Sequence, residues 1–157
     1  MTSELEGYRE RLAMLNDQAL ELIQGVSTEG LNWRPLGNAA DPETNSLAAT
    51  LIHLTGTQLY YIGAGLGGRP MQRDRAAEYR ASVADPAVLE ARVAQTNQML
   101  AEVLPNLAPE KLEEQTKWND RLVAGRWLIL HIIGHSGQHL GHMQLTRQLW
   151  DSRGQGE

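Results

Sequence analysis

The stretch from Trp127 to Trp150 constrains the fold of this chain most strongly, because it combines an apolar helical face with four of the five histidines. These histidines recur every three or four residues, at His131, His135, His139 and His142. An α-helix turns by about 100° per residue, so all four imidazoles would lie on one stripe about a quarter-turn wide. The stretch therefore predicts a long helix with imidazoles gathered along one side.

A second apolar helical segment, residues 47–62, carries the fifth histidine, His53. One imidazole on this helix and a pair at i, i+4 on the other can hold a divalent metal ion with three nitrogens, leaving a position open for chemistry. Without a metal, packed imidazoles would each need a hydrogen-bond partner when neutral and would repel one another when charged. The spacing leaves open which neighbouring pair of the stripe ligates, or whether three of them do. The alternative is that the histidines serve packing alone.

Composition excludes several classes of protein. The chain has 157 residues, which predicts a single domain spanning residues 1–157 with its own core. A net charge of −5 without a basic stripe argues against nucleic-acid binding. The absence of cysteine rules out disulfides, thiolate ligands and a cysteine nucleophile. The N-terminus is acidic and amphipathic, unlike a signal peptide, and no apolar run is long enough to span a membrane, so we expect a cytoplasmic protein.

Four segments of roughly 20 residues have apolar residues at helical spacing. They cover about residues 3–26, 46–64, 86–104 and 126–150. Asp85 followed by Pro86 is typical of a helix start, and Ser3 and Ser46 (or their neighbours Thr2 and Asn45) are typical caps. The connections at 27–45 and 105–125 are long, and neither has a convincing strand pattern, although the second could hold a helical turn or an extended piece. We therefore predict an all-α four-helix bundle that is not simply up-down-up-down.

Three features lie in or near the connections between these segments. Trp33 and Arg34, in the long connection, are candidate ligand-binding residues, although the preferred interpretation of Trp33 is that it plugs the end of the bundle. Residues 63–70 match GxGxxG but follow a helix, so they predict a helix stop rather than a dinucleotide site. The arginines of residues 69–80 predict either a solvated face or a guanidinium for an anionic ligand at the mouth of the bundle.

Three glycines form another stripe on the histidine-rich helix, at Gly134, Gly137 and Gly141. Each glycine costs a helix about 1 kcal/mol relative to alanine. We therefore expect another helix, from the same chain or from a partner, to approach closely there.

In their order and spacing, the motifs LNWRP (31–35), LIHL (51–54) and HIIGHSGQHLGH (131–142) resemble the DinB/YfiT-like metal-dependent bundle family over nearly the whole chain. The resemblance implies a four-helix bundle, a homodimer, and a divalent metal, zinc or nickel, held by His53, His135 and His139. His142 stands where the family often has glutamine. It is therefore open whether His142 is a fourth ligand, supports a ligand or carries a proton.

Characterised relatives in this family are transferases or isomerases that depend on low-molecular-weight thiols such as bacillithiol or mycothiol. The resemblance implies a thiol-dependent S-transferase or hydrolase acting on a small molecule, with His142 and Tyr60 as candidate proton carriers. Because this chain has no cysteine, the thiol would come from a cosubstrate, and a bound metal would lower its pKa. The alternative is a non-enzymatic stress protein that binds metal or a small ligand.

Overall fold

The computed structural model describes residues 3–37 and 44–153, and most of these residues are helical. The α-helices in this part of the chain are α1 (Glu4–Glu21), α2 (Thr28–Asn32), α3 (Leu47–Gln58), α4 (Arg75–Arg80), α5 (Ala87–Val103) and α6 (Gly125–Ser152). A π-helical segment, Leu59–Leu66, continues α3, and short 3-10 segments follow α5 at Leu104–Asn106 and Pro109–Leu112. Strands β1 (Gln115–Trp118) and β2 (Arg121–Ala124) form an antiparallel hairpin before α6.

The predicted helix starts at Ser3 and Ser46 are confirmed by their capping bonds, whereas α5 begins one residue later than predicted, with Pro86 at the N-cap instead of Asp85. Ser3 accepts from the Glu6 amide at 3.2 Å, and Ser46 accepts from the Ala49 amide at the same distance. Asp85 accepts from the amide of Ala87 at 2.9 Å. Each side-chain oxygen satisfies an amide that has no partner within its helix. Thr2, the alternative cap of the first helix, lies outside the described residues.

The four long helices α1, α3 with its π-helical extension, α5 and α6 pack as a bundle, which confirms the predicted all-α architecture. α3 packs against α5 and α6, and α1 packs against the same two helices. The buried aliphatic residues form two clusters, one towards the hairpin and one towards α2. None of the helices in the described ranges is both long and apolar enough to cross a membrane.

A buried polar network ties the long helices together between the two aliphatic clusters. The Asn16 side chain exchanges hydrogen bonds of 2.9 and 2.8 Å with Gln58, and it also donates to Asn97 at 2.8 Å. Gln58 in addition donates to Ser136 at 3.1 Å. One residue each from α1, α3, α5 and α6 takes part. Because each polar group finds its partner only when the helices are correctly aligned, the network specifies their register.

The glycine-rich stretch at residues 63–70 ends the π-helical segment, as predicted. The last π-helical residue is Leu66, and Gly68 has a φ of +66°, a conformation that side-chain-bearing residues rarely adopt. Within residues 3–37 and 44–62 no strand precedes the motif, which directly follows a helix and so lacks the setting of a dinucleotide-binding turn.

The connections contain more regular structure than the sequence analysis expected. The second long connection, which has no convincing strand pattern in the sequence, contains a hairpin in which β1 and β2 pair from Gln115 with Ala124 to Trp118 with Arg121. This connection therefore contains both a helical turn and an extended piece, since a 3-10 turn precedes the hairpin. α2 and α4 are short helices that were also not predicted, and isolated helices of five or six residues have little intrinsic stability. They form because they pack against α3.

The glycine stripe of α6 faces open space. A Cβ placed on Gly134, Gly137 or Gly141 would meet no atom within 4 Å in the part of the chain that the structure describes. The close approach expected from the same chain is therefore not found among these residues. An approach by a partner stays a prediction.

Candidate metal centre

Three histidines from two helices meet inside the bundle. Nε2 of His135 lies 3.4 Å from Nε2 of His53 and 3.1 Å from Nε2 of His139. One nitrogen from each ring lies within 4.8 Å of the other two. A tetrahedral zinc ion with bonds of about 2.1 Å would separate its ligand nitrogens by about 3.4 Å. The donor set and its spacing therefore fit a divalent metal ion.

The i, i+4 pair on α6 is neutral near pH 7. Burial first, and then the like charge of neighbouring imidazoles, lower the pKa of His135 to about 3 and the pKa of His139 to about 4. A neutral imidazole is the form that binds metal. Nδ1 of His135 is buried and has no hydrogen-bond partner among the described residues. The described protein groups therefore do not fix which of its nitrogens carries the proton, and Nε2 is available as a ligand.

Glu78, on α4, orients the third histidine. Its side chain is buried, and its Oε2 lies 2.9 Å from Nδ1 of His53. An ionised carboxylate only accepts hydrogen bonds, so Nδ1 of His53 is the donor and Nε2 keeps its lone pair for a ligand. Burial alone would raise the pKa of Glu78, but the hydrogen bonds from His53 and Arg73 outweigh it and hold this pKa below its usual value. Glu78 therefore sets the tautomer of His53.

Arg73 compensates the buried charge of Glu78. Its Nε donates to Oε1 at 2.8 Å and its Nη2 donates to Oε2 at 2.7 Å, which is the two-pronged geometry that guanidinium and carboxylate groups favour. The same Nη2 also reaches Oγ1 of Thr57 at 2.7 Å. A Cβ on Gly56 would lie 2.2 Å from Oε1 of Glu78, so this glycine makes room for the carboxylate.

Tyr79 and Arg75 cover the other side of His53. The Tyr79 ring stacks on the His53 ring with centroids 4.5 Å apart and an interplanar angle of 23°. Its hydroxyl lies 3.2 Å from Nε2 of His53. Arg75 donates to this hydroxyl at 3.2 Å, and its guanidinium lies 5.5 Å from the centre of the tyrosine ring.

A cavity of about 110 Å³ opens beside the histidines. Its lining includes His53, His135, Tyr61, Trp118, Arg73 and Arg75. Two of the arginines of residues 69–80 therefore lie at the histidine cluster, in agreement with the second interpretation of that segment. Another, Arg69, pairs with Glu102 on the exposed side of α5.

His131 and His142 lie outside the three-histidine group. The ring of His131 stacks on Trp127 at 4.9 Å and meets Trp118 edge-on at 4.3 Å, and burial lowers its pKa. Its centroid is 6.3 Å from that of His135. His142 is exposed, with its centroid 5.6 Å from that of His139.

The other residues singled out in the sequence lie farther from the three rings. Tyr60 is 37% exposed and lines a separate open groove with Lys117, and in the described ranges no hydrogen bond or ring contact joins it to a histidine. Trp33 packs against Trp150 at 5.7 Å, as expected for a plug at the end of the bundle. Arg34 donates to the backbone carbonyl of Tyr79 at 2.6 Å, which ties the long connection to α4.

Sequence reasoning missed the contributions of Arg73, Glu78 and Tyr79. They belong to one short segment that packs against α3, and a run of mixed charges is usually a solvated face. One local signal was available. Asp74 accepts from the amide of Ala77 at 2.9 Å, and an aspartate is a residue type typical of a helix start.

Comparison with known proteins agrees with this architecture. Among curated proteins no match was found. The model of the DinB superfamily matches residues 11–143, a range that includes the three clustered histidines, Glu78 and Tyr79. The chain belongs to the DinB superfamily.

Proposed function

We propose that this protein binds one divalent metal ion, zinc or nickel, through His53, His135 and His139. The observation that carries the proposal is the convergence of three Nε2 atoms with Nδ1 of His53 bonded to a buried carboxylate. A histidine that serves packing alone needs no such carboxylate, whereas metal-binding histidines commonly have one. Membership of the DinB superfamily supports the same conclusion.

We further propose that the protein is a thiol-dependent transferase. A divalent ion held here would lower the pKa of a bound thiol, which suits a chain that has no cysteine of its own. Glu78 would hold His53 in its ligating tautomer, and Arg73 would keep Glu78 ionised. The adjoining cavity, at about 110 Å³, is smaller than the roughly 300–1,000 Å³ of a typical small-molecule pocket. It would therefore take the thiol end of a cosubstrate.

The rest of a thiol cosubstrate and its acceptor would lie in the open groove next to this cavity. The two spaces share Tyr61 and Asn119, and the groove also has Tyr60, Lys117 and Asp120 along it. Tyr60 would then be a wall residue or a proton carrier for the distal substrate. His142, exposed beside His139, is the second candidate proton carrier.

The proposed activity is tested by incubating metal-loaded protein with 1-chloro-2,4-dinitrobenzene and, in turn, bacillithiol, mycothiol or glutathione. We expect thiol-dependent product formation that His139→Ala abolishes while circular dichroism shows the fold intact. His131→Phe is the matched control, since it removes an imidazole from the same helix but keeps an aromatic ring between the two tryptophans. Product formation that continues unchanged in His139→Ala would contradict the proposal.

The second candidate function is a non-enzymatic protein that binds metal or a small ligand. The proximity of His142 to His139 favours it, because a fourth imidazole would fill the open position. In that case His142→Ala would weaken metal binding as strongly as His139→Ala, and no thiol would be consumed.

We also propose that the protein is a cytoplasmic homodimer that uses the outer face of α6. Leu130 and Leu145 on this face are 51% and 56% exposed, and they flank the open glycine stripe. Small residues let a partner helix come close, and exposed leucines supply apolar area to bury.

A further inference from the structure

The hydroxyl of Tyr79 belongs to a chain of hydrogen bonds whose direction is fixed. In the neutral imidazole, the form that binds metal, Nδ1 of His53 donates to Glu78, so Nε2 carries no proton and can only accept. The Tyr79 hydroxyl, 3.2 Å from that nitrogen, is therefore the donor. Arg75 has no acceptor atom, so it donates to the oxygen of the same hydroxyl. The chain runs from Arg75 through Tyr79 and His53 to Glu78.

This arrangement makes Tyr79 and a metal ion competitors for one lone pair. The lone pair on Nε2 of His53 can accept the hydrogen bond from the tyrosine hydroxyl or bind a metal ion, but it cannot do both. Nε2 of His135 lies 3.4 Å from the same nitrogen, so Tyr79 borders the place where the three histidines converge. A metal ion bound there would deprive the hydroxyl of its present acceptor.

The tyrosine is held where it is by contacts that do not involve its hydroxyl. Its ring stacks on His53, and its backbone carbonyl accepts a hydrogen bond of 2.6 Å from Arg34. The hydroxyl would therefore remain beside the metal, still accepting from Arg75 and with its own proton free to donate. A half-buried hydroxyl in this position needs a new acceptor. The atom in the metal's open position would be that acceptor.

We propose that Tyr79, polarised by Arg75, donates a hydrogen bond to an anionic ligand atom in the open position of the bound metal. This inference rests on the proposed metal site. Arg75 lines the cavity beside Arg73, whose charge is already paired with Glu78, so it is the Arg75 guanidinium that favours a negative charge there. The ligand class is a small anion with its charge on the coordinating atom, of which a thiolate is the member that the proposed function requires. Tyr79, rather than Tyr60, then contacts the reacting atom.

The test uses protein loaded with Co²⁺, whose visible absorption reports both metal binding and a change of ligand. Azide and 2-mercaptoethanol are titrated into wild type and Tyr79→Phe, which keeps the stacked ring and removes the hydroxyl. We expect both ligands to bind about tenfold more weakly to the variant, the effect of one charge-assisted hydrogen bond. The affinity of the metal-free variant for Co²⁺ should equal or exceed that of wild type, because a competing hydrogen bond is gone.

Three further variants make the result specific. Tyr8→Phe removes a hydroxyl on α1, away from the site, and should leave azide binding unchanged. Tyr60→Phe should also leave it unchanged. Arg75→Gln alters an exposed side chain, so folding is not at risk, and it should weaken azide binding in the same direction as Tyr79→Phe.

Other results would contradict either the hydrogen bond from Tyr79 or the metal site itself. Azide and thiol affinities within twofold of wild type in Tyr79→Phe would refute the hydrogen bond, as would a loss seen only in Tyr60→Phe or only in Arg75→Gln. Weaker Co²⁺ binding in Tyr79→Phe would show instead that Tyr79 is itself a ligand or a support for the histidines. Failure of wild type to bind Co²⁺ would overturn the proposed metal site first, and this inference with it.

Discussion

At the scale of single residues, Glu78 fixes the tautomer of His53, which the position of His53 on its helix does not determine. The carboxylate fixes the proton on Nδ1 and thereby presents Nε2 to the other two imidazoles. The carboxylate itself is kept ionised by the two hydrogen bonds from Arg73. A chain of charge-assisted bonds from a guanidinium to a ligating nitrogen raises the basicity of that nitrogen without adding net charge to the site.

This role predicts that Glu78→Gln lowers metal affinity about 10- to 100-fold, the usual effect of losing a carboxylate behind a ligating histidine. The amide can still accept a hydrogen bond from Nδ1, but it lacks the negative charge that makes Nε2 a strong ligand for a metal ion. Competition with a chromophoric chelator measures the change. Glu90→Gln, on an exposed position of α5, is the matched control and should bind metal as wild type does. Equal affinities for Glu78→Gln and wild type would show that Glu78 serves packing.

The residues of the site differ in how well the sequence predicts them. His135 and His139 are a local pattern, since i, i+4 spacing on a helix puts two side chains on one face. His53 is a candidate because it lies on a second apolar helix, resemblance to the DinB family then selects this pair among the four histidines, and the structure brings the three rings together. The positions of Glu78 and Tyr79 depend on how a six-residue helix packs against α3. Such a tertiary contact leaves no periodic pattern in the sequence.

At the scale of secondary-structure elements, the long helices follow from their apolar spacing, and the polar network fixes how they are aligned. Asn16 and Gln58 are fully buried, and each finds its partners on other helices. Ser136 joins this network and directly follows His135 in α6. The alignment of α3 with α6 that satisfies the amides is therefore the alignment that brings His53 to the pair on α6.

The network predicts that Asn16→Ala lowers the free energy of unfolding by about 1–3 kcal/mol, because it leaves the buried amide of Gln58 and the half-buried amide of Asn97 short of partners. Urea denaturation of the metal-free protein measures this change. Gln144→Ala, at an exposed position of α6, should change stability by less than about 0.5 kcal/mol. Unfolding curves that coincide for wild type and Asn16→Ala would contradict a structural role for the network.

The short elements could not be predicted in the same way. β1 and β2 have four residues each, and their mixture of charged and apolar side chains does not alternate clearly. The hairpin forms because it packs on α6, where Trp118 meets the ring of His131. Tertiary contacts therefore override weak local preferences at these positions.

At the scale of the whole molecule, the outer face of α6 is an exposed surface with apolar side chains along it. Its three glycines have no near neighbours among the described residues, and the two leucines beside them are more than half exposed. That residues 1–157 form one domain, and that two copies associate, both stay predictions.

Association through α6 predicts that Leu145→Glu converts the dimer to a monomer, because a dimer would have to bury the new charge. Sedimentation velocity at micromolar concentration measures the change. Leu122→Glu, on the exposed hairpin, is the matched control and should leave the dimer intact. A wild-type protein that sediments as a monomer under these conditions would contradict the proposed dimer.

The central claim is that His53, His135 and His139 hold one metal ion, and its most direct test is elemental analysis of untagged protein. Wild type, His53→Ala, His139→Ala and the control His131→Phe would be purified side by side and reloaded with zinc or nickel. The account predicts about one equivalent per chain in wild type and His131→Phe, and a large loss in both alanine variants. Sub-stoichiometric metal in wild type, unaffected by either alanine substitution, would mean that the three histidines serve packing, and the proposed transferase activity would be lost with the site.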